Sequence, residues 1–180
     1  MTVPDAGVVD AGVVDAAVLL LRVVVGLTMV AHGYNHLWGP GGLTGTARWF
    51  ASMGLRPPKL HAVLSGAGEL AAGAALAIGL LTALAAAFIV GTMVVAGVTA
   101  HRRNGFFVFK EGYEYVLLIA VVCAVIGLLG PGAVSADRLL GTERLLGIGG
   151  MGLGFTVGLG VLGAAVLLAV TWRPARPVRG

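Results

Sequence analysis

His32, His36, His61 and His101 are the four histidines of the chain. With Glu69 and Glu114 they are its best-placed candidates for exchanging protons or hydrogen-bonding a polar ligand. His32 and His36 are four residues apart, which puts both imidazoles on one face of a helix. A pair at that spacing can ligate a metal, but Gly33, Tyr34 and Asn35 intervene where a zinc protease carries its glutamate, so no metal is expected. Thiol chemistry is poorly supplied as well. Cys123 is the single cysteine, which leaves no Cys-x-x-Cys relay and no internal disulfide. Any redox work would need a bound cofactor or a second protein.

Composition dictates the elements that must hold these groups. Hydrophobic residues make up 58% of the 180 residues and charged residues 11%, with a mean hydropathy of +0.96. A soluble domain is about half apolar and about a quarter charged. So few charges cannot build a polar shell, and the apolar surface must face lipid. The apolar stretches are long and unbroken rather than alternating, which selects helices over a β-barrel. Runs of spanning length fall at Ala16–Leu37, Leu60–Leu81, Ala83–Ala100, Tyr113–Gly130 and Gly150–Trp172. The expected fold is an all-α polytopic membrane helical bundle. Thr82 is nearly the sole polar residue between the second and third runs, so a tight turn there is inferred from total length. Residues 1–15 repeat Asp-Ala-Gly-Val-Val around Asp5, Asp10 and Asp15 without a Lys or Arg, unlike a signal peptide. They read as a flexible acidic tail whose second half can extend the first helix.

The basic residues set the expected orientation. Arg48, Arg56 and Lys59 follow the first run, Arg102, Arg103 and Lys110 the third, and Arg173, Arg176 and Arg179 the fifth. Five alternating spans put all three groups on one side, which the positive-inside rule makes cytoplasmic. Arg138 and Arg144, offset by Asp137 and Glu143, fall on the other side with the acidic N-terminus. The N-terminus is thus expected outside the plasma membrane and the C-terminal tail in the cytoplasm. The formal charge of +4 then reflects orientation and contact with anionic lipid headgroups, and no nucleic-acid motif competes with that reading.

This topology brings all four histidines, Glu69 and Glu114 to the cytoplasmic half. Arg22 alone is left toward the outer half, where it is expected to snorkel to the headgroups. Ionisable groups at a helix centre cost about 2.5 to 3.5 kcal/mol on insertion, so each needs a reason. His61 and His101 lie within a turn of the interface, where a purely interfacial role suffices. Glu111 and Glu114 have Arg102, Arg103 and Lys110 at hand as structural partners. His32 and Glu69 lie deeper, at about 8 and about 13 Å. They are expected within polar contact of each other, directly or through a water, as a site or as a lock between helices. Between the first two spans, Trp49, Phe50 and Met53 recur at helical spacing beside Arg48. Leu43–Leu55 is therefore an amphipathic interfacial segment that anchors the chain or caps a pocket. In the last span, Gly150, Gly154 and Gly158 at four-residue intervals permit close helix approach.

Leu21-Arg22 through His32-Gly33-x-x-His36, with Gly39-Pro40 after it, resembles the opening of the DoxX family of small bacterial and archaeal membrane proteins. In order there follow Phe50-Ala51-Ser52-Met53-Gly54-Leu55 before a proline pair, Glu69, Asn104-Gly105-Phe106-Phe107, Gly112-Tyr113-Glu114-Tyr115, and Gly130-Pro131-Gly132 with Ser135 and Asp137. The resemblance runs from about Leu19 to Leu140. His36 stands where that family usually carries a lysine. The resemblance implies a four-helix membrane core over 16–140, preceded by the tail 1–15. A loop and an additional fifth transmembrane helix over 141–172 and a basic tail over 173–180 follow it.

The family takes its name from a subunit of a thiosulfate:quinone oxidoreductase. Mycobacterial-type members are linked to membrane oxidoreductase complexes of thiol and oxidative-stress defence. What this implies is a subunit associated with a membrane oxidoreductase, with redox-protein partners. His32, His36, Glu69 and Glu114 would line a cytoplasm-facing pocket for a quinone headgroup, since imidazole and carboxyl groups can hydrogen-bond quinone oxygens and relay protons. The alternative is a non-catalytic anchor or scaffold with the same residues acting as interhelical locks. A transporter comes third, because five spans show no inverted repeat.

Overall fold

The computed structural model describes residues 10–145 and 147–174, and over these the chain is all-helical. Asp5, Arg176 and Arg179 lie outside the described residues. Helix α1 (Ala11–Trp38) begins where the Asp10 carboxylate accepts the Gly12 N–H at 2.7 Å, so the second half of the acidic repeat is helical. It ends at Gly39-Pro40. A short helix α2 (Gly42–Ser52) precedes α3 (Pro58–Ile78), whose first helical position is a proline that has no N–H to leave unsatisfied. Gly79, at φ 71°, stops α3 in a left-handed cap three residues before the expected end of the second span. Helix α4 (Thr82–Ala96) starts at once and continues through a π-helical turn at Gly97–His101 and a 3₁₀ turn at Arg102–Asn104. Then come α5 (Glu114–Leu129), the single turn α6 (Ala136–Leu140) and α7 (Gly150–Thr171).

Four of these helices are long and apolar enough to cross a membrane: α1, α3, the continuous Thr82–Asn104 segment and α7. With 16 residues, α5 is apolar but shorter. Its ends nonetheless sit at opposite ends of the bundle. Tyr115 reaches His32 near the end of α1, and the Leu128 carbonyl accepts the Gly149 N–H at 2.9 Å beside the start of α7.

Glycines set the closest helix contacts. A Cβ at Gly26 would stand 2.5 Å from the Gly73 carbonyl oxygen, and one at Gly33 the same distance from that of Gly66. Two glycine pairs, each seven residues apart, thus bring α1 and α3 to backbone contact, and this is the most extensive helix pair in the bundle. Helix α4 forms the centre, with α3, α5 and α7 packed around it. On α7 the buried positions are Gly152, Thr156, Gly160 and Ala164, and Gly160 lies against the Ala87 carbonyl of α4. The expected Gly150, Gly154 and Gly158 series has open space beside every member. Close approach does use four-residue spacing here, but two residues out of phase with that series.

The end of the bundle opposite the basic loops is closed by polar contacts. Arg22 is fully buried, with Nη2 donating to the Val134 carbonyl and Nε and Nη1 unpartnered among the described residues. It does not snorkel. Gly79 has no side chain to displace it, and the 130–135 loop folds over it. Asp137 accepts the Leu81 and Thr82 N–H groups at 2.8 and 2.9 Å and the Thr142 hydroxyl at 3.0 Å, so a side chain 55 residues downstream caps α4.

Burial pushes the Asp137 carboxyl up, but the hydrogen bonds from Thr82, Leu81 and Thr142 outweigh it and hold the group below its ordinary value. A depressed folded-state pKa contributes stability that is present above the unfolded value of about 3.9 and lost as pH falls through the folded one. Asp137→Asn should therefore cost about 2 kcal/mol near neutrality. In thermal melts in detergent, the difference between wild type and variant should shrink as the pH is lowered through the acid range below about 4.

Candidate functional site

The segment after α1 folds back over the end of α3. Phe50 and Leu55 pack with Ala62 of α3, and the Thr46 hydroxyl donates to the His36 carbonyl at 2.8 Å, tying α2 to α1. The far end of α7 clasps the same segment. The Arg56 N–H donates to the Thr171 carbonyl at 3.1 Å, the Arg173 N–H to the Gly54 carbonyl at 2.7 Å, and the Trp172 indole N–H to the Met53 carbonyl at 2.9 Å. The Arg102 guanidinium lies 5.6 Å over the Trp172 ring. The expected amphipathic segment is therefore a lid held from two sides.

Beneath this lid is a cavity of 410 Å³, within the range of small-molecule sites. Helices α3 and α7 both pack on α4 but scarcely touch one another, and the cavity occupies the gap between them. Its α4 wall runs from Leu84 to Ala100, about 24 Å of helix. Trp49, Phe50, Met53 and Leu55 close one end, and Leu159, Gly160, Gly163, Ala164 and Leu167 form the α7 wall. The lining is almost entirely apolar, and its principal polar groups are gathered in the half nearer the basic loops: His36, His61, Ser65, Glu69 and Thr99.

Glu69 is the deepest charged group there, at 3% exposure. Its Oε1 accepts the Ser65 hydroxyl, one turn earlier on α3, at 2.5 Å and lies 3.6 Å from His36 Nε2. Glu69 Oε2 has no hydrogen-bond partner among the described residues. The His36 ring is fixed between Trp49, with centroids 6.1 Å apart, and Phe50, at 5.8 Å edge-on. An imidazole and a carboxyl group from two helices thus face an apolar chamber with hydrogen-bonding capacity unspent.

Of the other expected site residues, His32 is adjacent but differently engaged. Its Nδ1 donates to the Thr28 carbonyl at 2.9 Å, which leaves Nε2 to accept the Tyr115 hydroxyl at 2.8 Å in the neutral ring. It makes no direct hydrogen bond to Glu69; the imidazole in direct contact with Glu69 is that of His36, and the partner of His32 is Tyr115. Glu69 lies within electrostatic reach of both His32 and Tyr115. Glu114 does not line the cavity. Its Oε2 accepts the Val108 N–H at 2.9 Å and braces the loop before α5. His101 braces the same loop, Nδ1 donating to the Glu111 carbonyl at 2.7 Å. His61 Nε2 lies 3.2 Å from the Arg56 carbonyl at the lid hinge.

Sequence reasoning passed over Ser65 and the α7 wall. Ser65 carries a signal, since a hydroxyl four residues before a buried carboxyl shares its helix face. Gly160 and Gly163 carry none among the 30 glycines of the chain.

Fold and site define a multi-pass α-helical membrane protein with a ligand-sized cavity among its spans. The DoxX family model matches residues 17–102, which run from within α1 to the 3₁₀ turn that ends the α4 segment, and this part of the chain is a DoxX membrane domain. The match stops short of α5, α6 and α7, although the resemblance in motifs runs on to Leu140. No curated protein matches the chain, and no solved structure matches it.

Proposed function

We propose that this chain is the quinone-binding membrane subunit of an oxidoreductase assembly, with the cavity between α3, α4 and α7 as the binding site. The observation that carries this reading is the Glu69 carboxyl group. It is buried at the polar end of a long apolar chamber, paired with His36 and Ser65 through one oxygen and, among the described residues, unpartnered at the other. An amphiphile with a hydrogen-bonding ring and an apolar chain matches that division of the lining. A bound quinone would supply two-electron redox chemistry, with electrons exchanged through partner proteins. The residues of this chain orient the ring, exclude water and hold a proton between Glu69 and His36. Trp49, stacked on the His36 ring, and Phe50, set edge-on to it, bound the slot beside His36. His32 and Tyr115 form a second hydrogen-bonded pair on the α1–α5 side, outside the cavity.

The competing reading is a scaffold in which Glu69, Ser65 and His36 merely lock α1 to α3. Purification in mild detergent, extraction for mass spectrometry, and titration with quinone while following tryptophan fluorescence separate the two. Trp49 lines the cavity and reports occupancy. Copurified quinone or saturable quenching is expected. A stable partner without quinone, and no response to added quinone, would establish the scaffold instead.

We also propose a plasma-membrane location with the N-terminus outside and the C-terminus in the cytoplasm. In support, Arg48, Arg56, Lys59, Arg102, Arg103, Lys110 and Arg173 all belong to segments at one end of the helices. Reporter fusions at Val3 and Arg179 should report opposite sides. Both ends on one side would overturn the five-pass topology.

A further inference from the structure

Helix α7 lies beyond the matched residues 17–102, yet five of its residues line the cavity. Gly163 is unlike the other cavity glycines. Gly91 and Gly160 are occupied in bringing α4 and α7 together, a Cβ at Gly91 standing 3.0 Å from the Gly160 carbonyl oxygen. A Cβ at Gly163 would meet nothing within 4 Å. The missing side chain is therefore not required by packing; its absence leaves room in the chamber. Gly163 is eight residues from the end of α7 and Ser65 seven from the start of α3. Both helix ends lie at the lid, so the two positions stand at similar depth, about 10 to 12 Å in, on opposite walls.

We infer that α7 is the size-selecting wall of the site, and that Gly163 sets the width of the slot that admits a ligand ring to Ser65 and Glu69. This rests on the quinone reading above. The slot lies between two helices that scarcely touch, so the ligand class is a membrane-dissolved amphiphile that slides in sideways from the lipid. Selectivity then belongs to the part of the chain outside the family match, not to the shared helices that carry Glu69 and His36.

The test is quinone titration of the full-length protein in nanodiscs, read by tryptophan quenching, with decylubiquinone as the probe. Gly163→Leu is expected to weaken binding at least about tenfold, and Gly163→Ala, which adds one methyl, by an intermediate factor. Gly158→Leu makes the same change on the same helix, at a position with open space and outside the cavity. It should bind as wild type does. An azido-substituted quinone, irradiated with the wild-type protein, should label α7 between Leu159 and Leu167, a readout that needs no variant to fold.

Wild-type affinity in Gly163→Leu, or labels confined to other helices, would overturn the assignment of α7 while leaving the site on α3 standing. Equal losses in Gly163→Leu and Gly158→Leu would overturn it too, as damage to the helix. No saturable quenching of the wild-type protein would instead remove the quinone reading, and this inference with it.

Discussion

Glu69→Gln is expected to leave the bundle folded and to weaken binding of the reduced, hydroxyl-bearing quinol by about ten- to a hundredfold. Glutamine is nearly isosteric, its carbonyl can keep the hydrogen bond from Ser65, and its amide can donate toward His36, so the α1–α3 contact has no new unpaired group. A quinol hydroxyl donates to a carboxylate in a charge-assisted hydrogen bond, worth about 1.5 to 3 kcal/mol, and an amide oxygen replaces it only as a neutral acceptor. The oxidised quinone accepts hydrogen bonds, which an amide also donates, so its affinity should fall much less. That split between redox forms is what a binding site predicts. If Glu69 is only a lock, both affinities stay at the wild-type value and only the melting temperature moves. Isothermal titration with the two forms decides between them.

The largest structural effect should come from Gly33→Val. The added Cβ would stand 2.5 Å from the Gly66 carbonyl oxygen and 2.7 Å from the Leu70 nitrogen, both backbone atoms that cannot rotate away. Helices α1 and α3 must separate, at a cost of about 3 kcal/mol or more, toward the upper end of overpacking penalties. His36 rides on α1 and Glu69 on α3, so the same shift pulls the pair apart. Thermal unfolding in detergent should show a strongly lowered midpoint, and quinone titration a loss of affinity. Gly158→Leu, on the open face of α7, should unfold as wild type does. Equal stability of Gly33→Val and wild type would mean that the glycine seam does not hold the bundle.

The helices were legible because an apolar run of spanning length has few alternatives in a chain with so few charges. Boundaries were less legible where backbone geometry decides them. Gly79 ends α3 early because its positive φ is cheap for glycine alone, and nothing in hydropathy marks that. Glu69 was recognisable from its depth, but that His36 and not His32 is the imidazole in direct contact with it was not. Depth arithmetic ignores rotation about the helix axis. Gly33 marks the α1–α3 seam, from which His36 lies about 60° round and His32 about 100° round in the same direction. The nearer imidazole meets Glu69, and the farther one meets Tyr115 on α5. Arg22 was misjudged because its burial depends on the 130–135 loop and α6 returning over it, a contact 112 residues away in sequence. The α7 wall is of the same kind. A glycine that creates room looks, in sequence, like a glycine that closes a gap.

The clasp between the lid and the end of α7 has a consequence for biosynthesis. The Trp172 indole reaches back 119 residues to the Met53 carbonyl, and Thr171 and Arg173 hold Arg56 and Gly54. During translation the matched helices are inserted long before their fastening exists, and contacts of such separation form late. Until Thr171, Trp172 and Arg173 are in place the lid is held only from the α1 and α3 side, through Phe50, Leu55 and Thr46, and the carboxyl of Glu69 faces a chamber that lacks its α7 wall. A chain stalled before α7 is therefore a bundle whose chamber still lacks the wall formed by Leu159, Gly160, Gly163, Ala164 and Leu167.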